Sequence, residues 1–327
     1  MTREDSFVER LRALLPADER VLVGPGDDAA VLRPEPGDLV ATTDMLVEGV
    51  DFLPGEDARR LGRRCLAVNL SDLAAMGARP EFFLLSIAFP SEKGDEFPLA
   101  VARGALSRAS SWKASLVGGD LSNAPVVAIS VALWGRVEGS PLLRSGGEPG
   151  DDLYLSGFPG RAAAGLALAS RGGSTPLEAH YRRELAAAYE DPEPRIALGL
   201  ELSRRGLATA AIDVSDGLGI DAGRLARASG VRAVIEEDRL PVSPSLAAAA
   251  GTLDADPIHW ILGGGDDYEL LFSARPEDAG AIEDLATVGV PVTRIGRLEA
   301  GSGAFAIGPA GERDISASGW DHLERSR

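Results

Sequence analysis

Four times in this chain a short apolar run leads into glycine beside a carboxylate, and that repetition is the strongest constraint the sequence places on its fold. VLVGPGDDAAVL carries Asp27 and Asp28, ASLVGGD ends at Asp120, ATAAIDVSDGLGID holds Asp213 and Asp216, and WILGGGDDYELLF holds Asp266 and Asp267. Glycine and aspartate are ordinary turn formers, so any one of these segments alone would read as a solvated turn. Apolar runs bounded by turn residues read as buried strands. Carboxylates at the ends of several buried strands are expected at one rim, where they repel one another unless a cation lies between them. An all-oxygen donor set points to magnesium. Magnesium on protein carboxylates shares its remaining positions with water and substrate phosphates. Glycine lets backbone N–H groups approach those phosphates. The chemistry implied is phosphoryl transfer by charge neutralisation and alignment.

Composition removes several other classes. With 33 Lys and Arg against 50 Asp and Glu, the formal charge of −17 opposes nucleic acid and anionic membranes. Cys65 is the only cysteine, so an intrachain disulfide and a cysteine-rich metal site are excluded. His180, His259 and His322 are scattered, poor material for zinc. The N-terminal segment is interrupted by charge and lacks the apolar core of a signal peptide, and no apolar run reaches the roughly 20 residues of a membrane span. A cytoplasmic protein is expected.

At 327 residues the chain has room for two domains. The Gly- and Pro-rich stretch SPLLRSGGEPGDD marks the boundary. Before it, the pattern predicts a helix over about 5–15, a strand ending near Thr43 and Asp44, and a helix from about Asp57 to Gly77 with Asn69 and Asp72 on one face. FFLLSIAFP reads as a strand, 95–113 as a helix, ASLVGGD as a strand feeding a glycine turn, and APVVAISVALWGRVE as a long strand. After it come a strand at DLYLSG, a helix at RAAAGLALAS, a single further helix over about 178–205, a strand ending at Asp213, and strands at VRAVIEE, YELLFSA and VPVTRIGRLEA. Strands and helices mix without strict alternation, so both domains read as α/β or α+β.

Rival motifs fail. Residues 24–29 match the dinucleotide glycine pattern formally, but no helix follows and the acids would face a pyrophosphate. No P-loop, protein-kinase or serine-hydrolase signature is present. Among single residues, Asp72 stands out, since an ionised carboxylate on an apolar helix face is costly without a partner. A buried cap or a hydrogen bond to Asn69 is its bland alternative, and helix N-capping is that of Asp213 and Asp216.

Taken together, GPGDDAAVL, TTDMLVEGVDF, VNLSDLAAMGARP, LVGGDLS, AIDVSDGL and GGGDDYEL resemble the thiamine-monophosphate kinase family, of the superfamily typified by aminoimidazole ribonucleotide synthetase. The likeness runs in order from about residue 20 to 272, with a weaker match at SGWDHL. It implies a two-domain synthetase-like fold: an N-terminal domain (1–138) that binds ATP and magnesium and dimerises through a mixed sheet, and a C-terminal α/β domain (148–327) that completes an active-site cleft. It implies ATP-dependent phosphorylation of thiamine monophosphate to thiamine diphosphate, with several magnesium ions. By motif, Asp28, Thr42, Thr43, Asp44, Asp72, Asp120, Asp213 and Asp216 would be magnesium ligands, with Asp72, Asp120 and Asp213 central to catalysis. Gly119, Asp120, Arg144 and Ser215 would touch ATP, and Asp51, Asp266 and Trp320 would line the thiamine side. The family commonly has glutamate at the position of Asp266, and Asp51 and Trp320 also depart from its pattern. Selenophosphate synthetase, with its N-terminal Cys or selenocysteine, is a poorer match, because Cys65 lies mid-helix. A non-catalytic metal or nucleotide sensor is the competing reading from another class.

Overall fold

The computed structural model describes residues 3–171 and 175–321, which divide into two compact units: residues 3–73 with 78–137, and residues 74–77 with 138–171 and 175–321.

The first unit contains α1 (Arg3–Arg12), a hairpin of β1 (Val21–Val23) and β2 (Val31–Leu32), β3 (Leu39–Val47), α2 (Ala58–Ala75), β4 (Ala78–Phe89), α3 (Glu96–Ala109), β5 (Ser115–Asn123) and β6 (Ala128–Val137). Residues 74–75, the end of α2, fall in the second unit. The sheet has the order β3-β6-β4-β5, with β4 and β5 parallel and the other pairs antiparallel. Ile129, Val131 and Leu133 alternate into the core with Phe83, Leu85 and Ile87, as do Leu66, Leu70 and Leu73 of α2. β3 does not stop near Thr43 and Asp44: it runs on to Val47, because β6 pairs with it as far as Val47 opposite Ala128. α1 ends at Arg12, earlier than its apolar spacing predicts.

The second unit contains β7 (Asp152–Ser156), α4 (Arg161–Ser170), α5 (Ala179–Glu190), α6 (Ile196–Arg205), β8 (Ala210–Val214), α7 (Leu218–Ser229), β9 (Arg232–Glu236), α8 (Pro244–Leu253), α9 (Pro257–Gly263), β10 (Glu269–Ala274), α10 (Ala279–Glu283), β11 (Val292–Glu299), β12 (Gly303–Gly308) and β13 (Gly311–Asp314). Its sheet order is β13-β12-β9-β11-β7-β10-β8, antiparallel except for β12 on β9. α7 packs on β8, β9 and β12, over a core that includes Ile212, Leu218, Leu225, Ile235 and Leu271. The single helix expected over 178–205 is two, because Pro192 and Pro194 cannot continue a helix. α8 and α9 were not expected from periodicity, yet each begins on a local signal. Ser243 accepts from the Leu246 N–H ahead of Pro244, and Asp256 accepts from the Ile258 N–H ahead of Pro257. Among the described residues, no helix is long and apolar enough to cross a membrane.

Candidate active site

In the first unit, α2 supplies the residues that the sequence placed on one helix face. The Asn69 side-chain oxygen accepts from the Asp44 N–H at 3.0 Å, and the Asp72 carboxylate accepts from the Thr42 hydroxyl. Asp72 therefore does not hydrogen-bond to Asn69 as its bland alternative supposed: both residues reach down to β3. Alternation along the strand puts Asp44 on the same face as Thr42. Thr43 lies on the opposite face, its hydroxyl donating to the Val131 carbonyl at 2.9 Å.

The segment LVGGD is not a turn. β5 runs straight through Gly118 and Gly119 to Asn123, in register with β4 as far as Phe89. The reason for glycine is the neighbouring strand, since a Cβ on Gly119 would lie 1.8 Å from the Leu85 carbonyl oxygen. Gly119→Ala is expected to cost about 3 kcal/mol by forcing these backbones apart. A lowered urea midpoint followed by circular dichroism would show it, and an unchanged midpoint would remove the close-packing explanation.

The register also sorts the carboxylates. Leu85 faces Gly119 and Val131, and Val131 faces Asp44, whereas Asp120 falls in the next row with Ser86 and Ser130. Asp44 and Asp120 thus emerge on opposite faces of one sheet, from its two edge strands, about 14 Å apart across three strand spacings. Asp120 joins Gly119, Asp27 and Asp28 along a groove of about 760 Å³ on the sheet's open side, with Phe7, Leu39 and Trp134 among its walls. Asp28 is exposed, and its N–H donates to the Asp27 side chain at 2.9 Å. Asp51 closes the turn after β3, accepting from the Val47 N–H at 2.7 Å.

In the second unit, five of the expected residues meet at one end of β8. Asp213 is the penultimate residue of that strand and almost fully buried, paired in register with Leu270. The Ser215 carbonyl accepts from the Asp266 N–H at 2.7 Å, and the Asp216 carbonyl accepts from the Trp320 N–H at 2.8 Å. Trp320 leaves half of its surface, 51%, to solvent. Arg144 is elsewhere in the unit. Its carbonyl accepts from the hydroxyl of Ser229, the last residue of α7, while Ser215 precedes the first turn, about 16 Å away along the helix axis.

Helix capping belongs to neither Asp213 nor Asp216. One oxygen of Asp221 accepts from the N–H groups of Ser215, Asp216 and Gly217 at 3.1, 3.0 and 3.3 Å. Arg224 bridges the other oxygen of Asp221 at 2.6 Å to Asp216 at 2.5 Å. Burial pushes the Asp221 carboxyl above its ordinary range, although Arg224 works against the rise. AIDVSDGLGID contains three acids, and what distinguishes Asp221 is the set of N–H groups and the guanidinium that the fold brings to it. Its signal was its place in the first turn of a helix that opens on glycine.

Asp267 likewise serves structure. Its two oxygens accept from the Gly160 N–H at 2.7 Å and the Ala162 N–H at 3.4 Å, at the start of α4. Burial pushes this carboxyl up to about 8, the Gly160 N–H opposing and the Glu269 carboxylate adding to the rise. A folded-state value above the unfolded 3.8 means that the folded chain holds a proton which the unfolded chain has released. Its stabilising contribution is therefore complete below about pH 4 and declines as pH rises towards about 8. Asp267→Asn, which keeps one acceptor oxygen for the shorter bond from the Gly160 N–H but cannot titrate, is expected to flatten this part of the stability profile. Thermal unfolding from pH 4 to 9 tests it, and parallel profiles for the two proteins would refute it.

The oxygen-only donor sets suit magnesium better than a softer ion. Among the described residues, no group of three or more His, Cys, Asp or Glu side chains is gathered to hold a metal by itself.

Comparison with known proteins places this geometry in a family. The AIR synthase related protein N-terminal domain matches residues 26–137 and the corresponding C-terminal domain matches residues 148–308. The thiamine-monophosphate kinase of Salmonella typhimurium is 39% identical over 285 residues, covering 86% of this chain and 85% of that protein. The crystal structure of thiamine-monophosphate kinase from Stenotrophomonas maltophilia K279a superposes with a TM-score of 0.83 at 39% identity, covering 92% of this chain and 95% of the other. AaThiL complexed with AMPPCP and TMP superposes with a TM-score of 0.80 at 30% identity, covering 98% and 96%. With both domains matched and relatives similar over nearly their whole length, the chain belongs to the thiamine-monophosphate kinase family of AIR synthase-related proteins.

Proposed function

We propose that this protein phosphorylates thiamine monophosphate to thiamine diphosphate with ATP, by direct in-line transfer of the γ-phosphoryl group assisted by magnesium, as the last step in making that coenzyme. The observation that carries the reading is the near full-length likeness to AaThiL, a protein complexed with AMPPCP and TMP together. AMPPCP carries the triphosphate of ATP with a methylene at the scissile bridge, so a donor and a phosphate-bearing acceptor are held at once.

The first unit would take ATP and magnesium: Asp28, Gly119 and Asp120 along the groove, and Thr42, Asp44 and Asp72 on the α2 face, with Thr43 beside them in β3. The second unit would add Asp213, Ser215 and Asp216 at the end of β8 and line the acceptor with Asp266 and Trp320. Asp51 is assigned to the acceptor and Arg144 to ATP. Bound magnesium would neutralise the charge on both phosphates, and the split carboxylate groups call for more than one ion. The residues' own work is to fix the two phosphates in line and exclude water. No general base is needed, because the acceptor oxygen is ionised at neutral pH. A homodimer formed through the first unit's sheet, acting in the cytoplasm, completes the proposal.

The test is to incubate the protein with ATP, magnesium and thiamine monophosphate. Thiamine diphosphate should form with an equal amount of ADP, and ADP should depend on the acceptor. Tight ATP binding without ADP would favour a nucleotide sensor instead.

A further inference from the structure

The loop before β10 is held in a backbone conformation that its side chains disfavour. Asp266 has φ 61° and Tyr268 φ 52°, both in the left-handed region, which a bulky aromatic rarely enters. Such a conformation persists only where the surroundings over-determine it. Here the Asp266 N–H is tied to the Ser215 carbonyl, the Tyr268 N–H to the Val214 carbonyl at 2.8 Å, and the Asp267 carboxylate between them to the start of α4. The result brings two side chains two residues apart onto each other: the Tyr268 hydroxyl donates to Oδ1 of Asp266 at 2.9 Å. The Tyr268 side chain is buried, with 8% of the residue exposed, so its ring cannot swing away without opening the core.

We propose that Tyr268 is a positioning residue for the phosphoryl acceptor, its hydroxyl fixing the orientation of the Asp266 carboxylate within a clamped left-handed loop. This rests on the assignment of Asp266 to the acceptor side made above. A carboxylate on a short side chain rotates readily about its last bond, and a charge-assisted hydrogen bond from a rigid phenol removes that freedom before the acceptor arrives. Tyr268 touches Asp266 and acts through it. Its loss should therefore be felt in acceptor binding and not in ATP binding.

The experiment compares Tyr268→Phe, Asp266→Asn and the double variant by steady-state kinetics and thermal unfolding. Tyr268→Phe keeps the ring and the backbone and should raise the acceptor KM about tenfold. The KM for ATP and the unfolding midpoint should stay unchanged. Asp266→Asn should raise the acceptor KM at least as far, and the double variant should be no worse than Asp266→Asn alone, since the hydroxyl then has no carboxylate to orient. If Asp266→Asn raises the acceptor KM and Tyr268→Phe does not, the positioning role is refuted while the acceptor assignment stands. A lowered midpoint in Tyr268→Phe, or equal effects on both substrates, assigns the hydroxyl to folding and also refutes it. An unaltered acceptor KM in Asp266→Asn removes the assignment and the inference together.

Discussion

Asp72→Asn is expected to lower kcat roughly 10²- to 10³-fold while leaving the unfolding midpoint close to that of the parent protein. The asparagine amide oxygen can still accept the Thr42 hydroxyl, so the tie between α2 and β3 survives the change. What disappears is a full negative charge, on a helix whose neighbouring residues Leu70, Ser71 and Leu73 are buried. The role proposed for that charge is to meet magnesium during turnover. The loss should fall on kcat and on the magnesium concentration needed for half-maximal rate. Asp213→Asn, at the buried end of β8, should behave alike. Rate and magnesium dependence unchanged in either variant would end the proposal that these carboxylates carry the ions. A large fall in midpoint would instead assign the charge to folding.

Which parts of this were legible in the sequence depended on how local their causes are. Asn69 and Asp72 could be placed on one helix face because a 3.6-residue period is written into the apolar residues around them. That they reach β3, and not each other, depends on a strand 25–30 residues away. The same limit explains the misreading of LVGGD. Two glycines and an aspartate read as a turn by composition, but Gly119 answers to the Leu85 backbone and Gly118 to the Leu84 side chain on a parallel neighbour, which no local pattern reports. β3 was cut short at Asp44 for a related reason, since its continuation is set by pairing with β6. The carboxylates were legible as a type but not as an arrangement. The sequence does not distinguish the exposed Asp28 from Asp221, which organises a loop through three N–H groups, nor reveal that register sends Asp44 and Asp120 to opposite faces.

The strongest structural effect is expected at an ion pair that no motif announced. Glu269, at the start of β10, is 1% exposed and receives both Nε and Nη2 of Arg195 at 2.6 Å, with the Ser156 hydroxyl also at 2.6 Å. Arg195 stands just after the Pro192–Pro194 break and just before α6, so the break that divides two helices also delivers the guanidinium to the sheet. Arg195→Met keeps much of the aliphatic stem but leaves the carboxylate to the Ser156 hydroxyl, the Phe158 N–H at 3.4 Å and the more distant Arg161, 3.7 Å away. Removing one partner of such a pair typically costs about 3–5 kcal/mol. The double variant Arg195→Met with Glu269→Gln should recover part of that loss, because a neutral amide is far cheaper to bury than an unpaired charge. Urea denaturation of the parent and the two variants distinguishes the outcomes. A single variant as stable as the parent would mean that Arg161 or water already satisfies Glu269. Since Glu269 follows Asp266 by three residues, its displacement should also disturb the left-handed loop, and the acceptor KM should rise in Arg195→Met before ATP binding changes.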